Sequence, residues 1–156
     1  KDILWRKKRK IYRILGVVME LKDSPTRCIL YEIDINQSVA GNLALASAQS
    51  QAIAQQLPFA VIYFHPSKTL NTGNKEVLQL LQKIEKDLSE YNINFMVFIG
   101  DRKDRLEGIN MYLKPVNIYD QNIELLTDQK LQIHPIKWHG VVFSTQILEA
   151  RILAGL

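Results

Sequence analysis

Apolar positions recur along the chain with two periods, and the period changes from segment to segment. Residues 28–35 form an apolar, β-branched run that predicts a buried strand, with Glu32 and Asp34 as polar alternates that belong near a strand end or beside partners. Residues 40–56 place Ala44, Leu45, Ala48, Ala52 and Ile53 at steps of three and four. That spacing predicts a helix whose small-residue face lets it approach a sheet closely. The alternation then repeats. Residues 59–64 are a continuous apolar run of strand length, and Pro58 stops the helix before it. Residues 74–90 set Val77, Leu80, Leu81, Ile84 and Leu88 on one face of a second helix, and residues 93–99 make a third strand closed by Gly100 and Asp101.

The pattern beyond this point is weaker. Residues 102–111 read as a short helix, 116–119 as a short strand after Pro115, 122–131 as another short helix and 136–143 as a fifth strand. Ser144 reads as the N-cap of a last helix. Strand and helix alternating in this way predict an α/β fold: a five-stranded, doubly wound parallel sheet with helices on both faces, Rossmann-like, within residues 23–156. Before it, Ile3, Leu4, Ile11, Leu15 and Val18 recur at helical spacing. Residues 1–22 therefore read as a basic N-terminal helix set off by the turn signal Asp23-Ser24-Pro25.

Composition narrows the class. At 156 residues, 47% hydrophobic and 23% charged, the chain has enough apolar surface for one core and does not have a disordered composition. The longest apolar runs fall well short of the ~20 residues that cross a bilayer. One cysteine, Cys28, cannot form an internal disulfide, and three histidines without cysteine partners do not make a structural zinc site. The expected compartment is the reducing cytoplasm. The net charge of +4 is uneven: residues 1–13 carry seven basic side chains and one acid, so the body is slightly acidic. Lys1 to Arg13 reads first as a solvated helix face and second as a weak nucleic-acid contact.

In an open parallel sheet, ligands bind beyond the carboxyl ends of the strands, where strand order reverses. Neither G-x-G-x-x-G nor G-x-x-x-x-G-K-[ST] occurs, which disfavours dinucleotide and P-loop enzymes, and the absence of G-x-S-x-G removes the hydrolase nucleophile elbow. Cys28, inside an apolar strand, reads as a core thiol. His65, His134 and His139 and the acids Asp34, Asp101 and Asp120 fall at or near strand ends, but no spacing pairs them for acid–base work. What the strand ends do offer is hydrogen-bonding groups for a heterocycle. Asn36, Gln37 and Asn42 follow the first strand, Gly100 and Asp101 the third and Asp120 the fourth, with Phe64, Tyr119 and Trp138 as candidate stacking walls.

One block is more specific. The stretch from Tyr31 to Ala48, with Gln37, Asn42, Ala44 and Leu45 at matching places, resembles without a gap the opening of the N-terminal α/β domain of DNA photolyases and cryptochromes, class II photolyases above all. Shorter marks extend the resemblance: Leu57-Pro58-Phe59, Gly100-Asp101, Ile118-Tyr119-Asp120 and, loosely, Trp138-His139-Gly140. The departures are Ser38 for the family's Arg, Gly41 for its Asp and Leu43 for its Pro, and Asn74-Lys75 where an Arg-His-rich helix start is expected.

The resemblance implies a module of light-dependent DNA repair that binds an antenna chromophore (flavin, folate or deazaflavin) or serves as a docking domain, with no catalytic residue of its own. FAD and the damaged base belong to a C-terminal helical domain, which in the family follows this one. Two alternatives stand beside it: a free-standing nucleotide- or flavin-binding sensor, and a degenerate scaffold that works through protein contacts.

Overall fold

The computed structural model describes residues 10–14, 17–21, 26–66, 75–110 and 113–138. Its centre is a four-stranded parallel sheet in the order β5-β4-β3-β6, built from β3 (Thr26–Glu32), β4 (Phe59–His65), β5 (Asn94–Ile99) and β6 (Leu113–Tyr119). The predicted α/β, Rossmann-like alternation is therefore present. β3 is central, and the side chains of Cys28, Ile29, Leu30 and Tyr31 are fully buried, as a strand flanked by parallel neighbours and covered on both faces requires. Its polar alternates resolve at the strand's end: Glu32 accepts from Arg102 Nε at 2.7 Å, and Asp34 lies exposed beyond the last pair.

The helices follow from local chemistry. Asn42 caps α1 (Leu43–Ala54), its Oδ1 accepting from Leu45 N at 3.0 Å. α2 (Lys75–Ser89) buries Leu78, Leu81, Ile84 and Leu88 at steps of three and four and contacts β5. α3 (Arg102–Ile109) buries Ile109 alone among its residues. Gly100, at φ 130°, turns the chain into α3, and its N–H donates to the His65 carbonyl at 2.8 Å. A Cβ there would stand 2.6 Å from Arg105 Nε.

Among the described residues β6 is one of the two edge strands of this sheet, and its sequence suits an edge. Pro115 has no N–H to give a ladder, and the register with β3 slips beside it: Cys28 pairs with Pro115 and Ile29 with Asn117, leaving Val116 as a bulge.

α1 differs from the amphipathic helix that its spacing predicts. Residues 44–49 are all buried, because the helix is covered twice, by β3 beneath and by the segment after β6 above. That segment, residues 120–138, is where sequence and structure part. The helix predicted over 122–131 is instead an irregular strap with turns at 121–122 and 127–128. Asp120 Oδ1 takes the Asn122 N–H at 2.8 Å, Asp128 sits at φ 65°, and side chains of α1 take the peptide groups that helical bonds would have used. Ile136–Trp138 of the predicted fifth strand are not in a strand, and the rest of 136–143, with the helix predicted after Ser144, lies outside the described residues.

The N-terminal expectation is also corrected. Residues 10–14 and 17–21 are not helical but form an antiparallel pair, β1 (Lys10–Ile14) and β2 (Val17–Leu21), in register from Lys10↔Leu21 to Ile14↔Val17. Ile-Tyr-Arg-Ile and Val-Val-Met are β-branched and aromatic runs with Gly16 between them, a stronger signal for paired strands than the helical spacing of five apolar residues. Residues 1–9 of the basic segment lie outside the described residues.

Candidate functional site

Parallel strands β3 and β6 are neighbours although one helix-strand-helix-strand-helix run separates them in sequence, so strand order reverses between them. Beyond their carboxyl ends lies a cleft of about 320 Å³. β3 and its exit supply Glu32 to Ile35 and Gln37, β4 supplies Tyr63 and Phe64 with Pro66 after it, and the turn after β6 supplies Asp120, Gln121 and Asn122. Its volume lies near the lower end of the range of small-molecule pockets, ~300–1,000 Å³.

The loop that forms one wall is organised by Gln37. Its Oε1 accepts from the Asp34 N–H at 3.1 Å and from the Tyr31 hydroxyl at 3.2 Å, and its own N–H donates to the Asp34 carbonyl at 2.9 Å. Asp34 Oδ1 then takes the Asn36 N–H at 2.9 Å, an Asx turn that Asp120 repeats with Asn122 on the opposite wall. Behind the cleft, Phe64 stacks on Phe98 with ring centroids 5.8 Å apart, and the Arg102 guanidinium lies 5.9 Å from the Phe64 centroid while it pairs with Glu32.

Among the described residues the lining is acidic: Glu32, Asp34 and Asp120 line the cleft, no lysine or arginine does, and Arg102 reaches Glu32 from outside the lining. Tyr63 titrates above its ordinary range, first because it is buried and then because Asp34 faces it. Tyr31 is raised by burial against the lowering bonds of Gln37 and Asn42, with Asp120 and Asp34 adding to the rise. Both phenols stay protonated as hydrogen-bond donors. The described lining offers hydrogen-bond acceptors and no cation.

The predicted site residues divide. Gln37, Asp120 and Phe64 line the cleft. Asn36 contributes its N–H to the loop but is not in the lining, and Asn42 is spent on capping α1 and on bonding the Ser38 carbonyl at 3.0 Å. Gly100 and Asp101 are at the end of β5, three strand spacings from β6, or about 14 Å. Neither lines the cleft that Asp120 lines. Tyr119, half-buried, takes the Asn117 amide at 3.2 Å, and Trp138 packs on the core. Sequence reasoning had not placed Glu32, Tyr63, Pro66 and Gln121 in the site. For Glu32 the signal was the acid alternation about Ile33 at the end of the first strand.

Cys28 is buried, and burial pushes its thiol up to about 12, so it is no nucleophile. Among the described residues no cluster of three or more His, Cys, Asp or Glu could hold a metal ion, and no helix is long and apolar enough to cross a membrane. The chain matches no protein-family model and no curated protein.

Proposed function

We propose that this chain is a photolyase-like α/β module that holds a small, uncharged ring system of the antenna-chromophore kind in the cleft between β3 and β6, and that it serves light-dependent DNA repair together with a helical FAD domain. One observation carries the reading. The stretch that resembles photolyases, Tyr31 to Ala48, supplies five of the cleft's lining residues, and they stand at the strand reversal where such sheets bind ligands. Phe64 and Tyr63 give the ring an apolar wall, and Asp34, Asp120 and Gln37 accept hydrogen bonds at its edge. The carboxylates favour a riboflavin- or deazaflavin-type ring over one that bears a phosphate or a glutamate tail.

Nothing in the cleft supplies a redox centre, so the chain alone binds and does not repair. The electron transfer that splits a pyrimidine dimer belongs to a reduced flavin placed against a flipped base.

The test is a fluorescence titration of riboflavin, FMN and a folate into the wild-type chain and into Gln37→Ala and Asp120→Ala. Riboflavin should bind more tightly than FMN, and Asp120→Ala should weaken it about tenfold, the effect of losing one hydrogen bond to a charged group. Equal affinities in wild type and both variants would take the cleft out of consideration. No uptake of any of the three would leave the degenerate scaffold as the reading, and that outcome has a motive of its own: Gln37, Asn42, Ala44 and Leu45, the matched residues, all have structural work in the loop, the cap and the core.

A further inference from the structure

The strap carries its own chemistry, apart from the cleft. Gln49, on α1, is buried and reads the backbone of Gln132 with both ends of its amide: Oε1 accepts from Gln132 N at 2.9 Å and Nε2 donates to Gln132 O at 2.7 Å. Ser47 Oγ, donating to the Leu43 carbonyl, accepts from Leu126 N at 3.0 Å. His134, also buried, ends the row. Its N–H donates to the Tyr91 carbonyl at 2.8 Å, its ring lies 5.8 Å from that of Phe59, and Nε2 is 2.9 Å from the Leu57 carbonyl.

Because a carbonyl only accepts, Nε2 must carry the ring proton, which leaves Nδ1 as the acceptor facing Gln49 Nε2 at 3.4 Å. Gln49 cannot turn its amide over without breaking both bonds to Gln132. Beside the anchors the strap, α1 and the loop before it line a pocket of about 370 Å³ that is partly open to solvent, with Val39, Leu43, Ala46, Tyr91 and Leu131 among its walls.

We propose that residues 126–134 are a flap, held shut over α1 by Ser47, Gln49 and His134, that lifts when the His134 ring takes up a second proton and so widens the pocket it lines. A proton on Nδ1 would point at the amide donor of Gln49, turning a contact into a clash of two donors. Among the described residues the surroundings offer it nothing else. α1 presents Gln49, the chain before β4 presents the Leu57 carbonyl, β4 presents Phe59, and the turn before β5 presents the Tyr91 carbonyl, and none of these is a carboxylate.

Burial accordingly lowers the imidazole's affinity for protons, the Leu57 bond opposing in part. Apart from the one His134–Tyr91 backbone bond, the flap is attached through side chains and not by a strand ladder, so it can lift while the sheet stays folded. Once it is open, the ring regains its ordinary affinity, and acid draws the flap open by mass action.

Hydrogen exchange on the whole chain, corrected for the intrinsic rate, tests this at about pH 7.5 and about pH 5. The Leu126, Gln132 and His134 amides should lose protection by up to about tenfold per pH unit below ~6.5 and should be less protected than the β3 and β4 amides at both pH values, since the latter exchange only when the whole domain unfolds. An NMR titration of the His134 ring in the wild-type chain should show its midpoint where that protection falls. His134→Phe, which keeps a ring against Phe59, should abolish the pH response, and His65→Gln should retain it. Unchanged strap protection, strap protection equal to that of β3, a ring midpoint elsewhere, or a response that survives His134→Phe would each overturn the proposal.

Discussion

The stretch from β3 to β5 and the strap of residues 120–138 are both held to the same core, by opposite means. The first buries contiguous apolar runs, with Leu30, Ile62 and Met96 at or near zero exposure, and its backbone is satisfied by its own ladders and helices. The strap leaves Leu125 and Ile133 half or more exposed, makes no regular structure, and is fastened chiefly by polar groups: Ser47, Gln49 and His134. Apolar burial is non-directional and grows with area. Buried hydrogen bonds are directional and each worth only ~0.5–1.5 kcal/mol net, so they fix where a segment lies more than they fix whether the domain folds.

Four experiments press on this contrast, the largest effect first. Leu30→Asp puts an unpaired carboxylate into the middle of the central strand and should cost more than ~4 kcal/mol, enough to prevent folding. A soluble, cooperatively melting variant would show that the core is not where β3 puts it. Gln49→Ala removes both bonds to Gln132 and should cost ~1–3 kcal/mol in urea unfolding. The cost is capped, because once it exceeds what holds the strap, the strap detaches and water satisfies Gln132. A loss as large as that of Leu30→Asp would mean the strap is integral to the core.

The third is pH dependence. Burial lowers the affinity of both His65 and His134 for protons in the folded state, so the unfolded chain binds more protons below its ordinary histidine value of ~6.5. Stability should therefore be fully present above ~6.5 and fall as pH drops through that value. The slope is at most about 1.4 kcal/mol per pH unit for each ring, and it ends once the folded rings are themselves protonated. Urea midpoints that rise on acidification from about 7 to about 5 would contradict it.

The smallest effect is a gain. Gln56, after the last turn of α1, sits at φ 56°, with Leu57 N bonding back to the Ala52 carbonyl, the helix ending that glycine suits best. Gln56→Gly should stabilise by ~1 kcal/mol, whereas Asn92, at φ 57° in the corresponding place after α2, already has a side chain tolerant of that conformation and should gain less from the same change.

Much of the regular stretch was legible in order. Residues 28–35, 59–64 and 93–99 announced three strands within a few residues of their ends, and the periodic helices between them were found for the same reason: each buries a face against its neighbour in sequence, so the pattern is written locally. The strand-end rule likewise found Gln37, Asp120 and Phe64 for the cleft. The paired strands at 10–14 and 17–21 are hidden in the sequence because five apolar residues fit helical spacing while pairing rests on β-branched composition.

What the tertiary structure alone decided is which ends meet and what covers α1. The order β5-β4-β3-β6 sets Asp120 beside Asp34 and carries Asp101 away, a fact of long-range pairing that no local window contains. The buried polar residues of α1, Ser47 and Gln49, look from sequence like positions on a solvated face. They are core because a segment some eighty positions on lies across them, and the hydrogen bonds that hold it there have no period for a sequence to display.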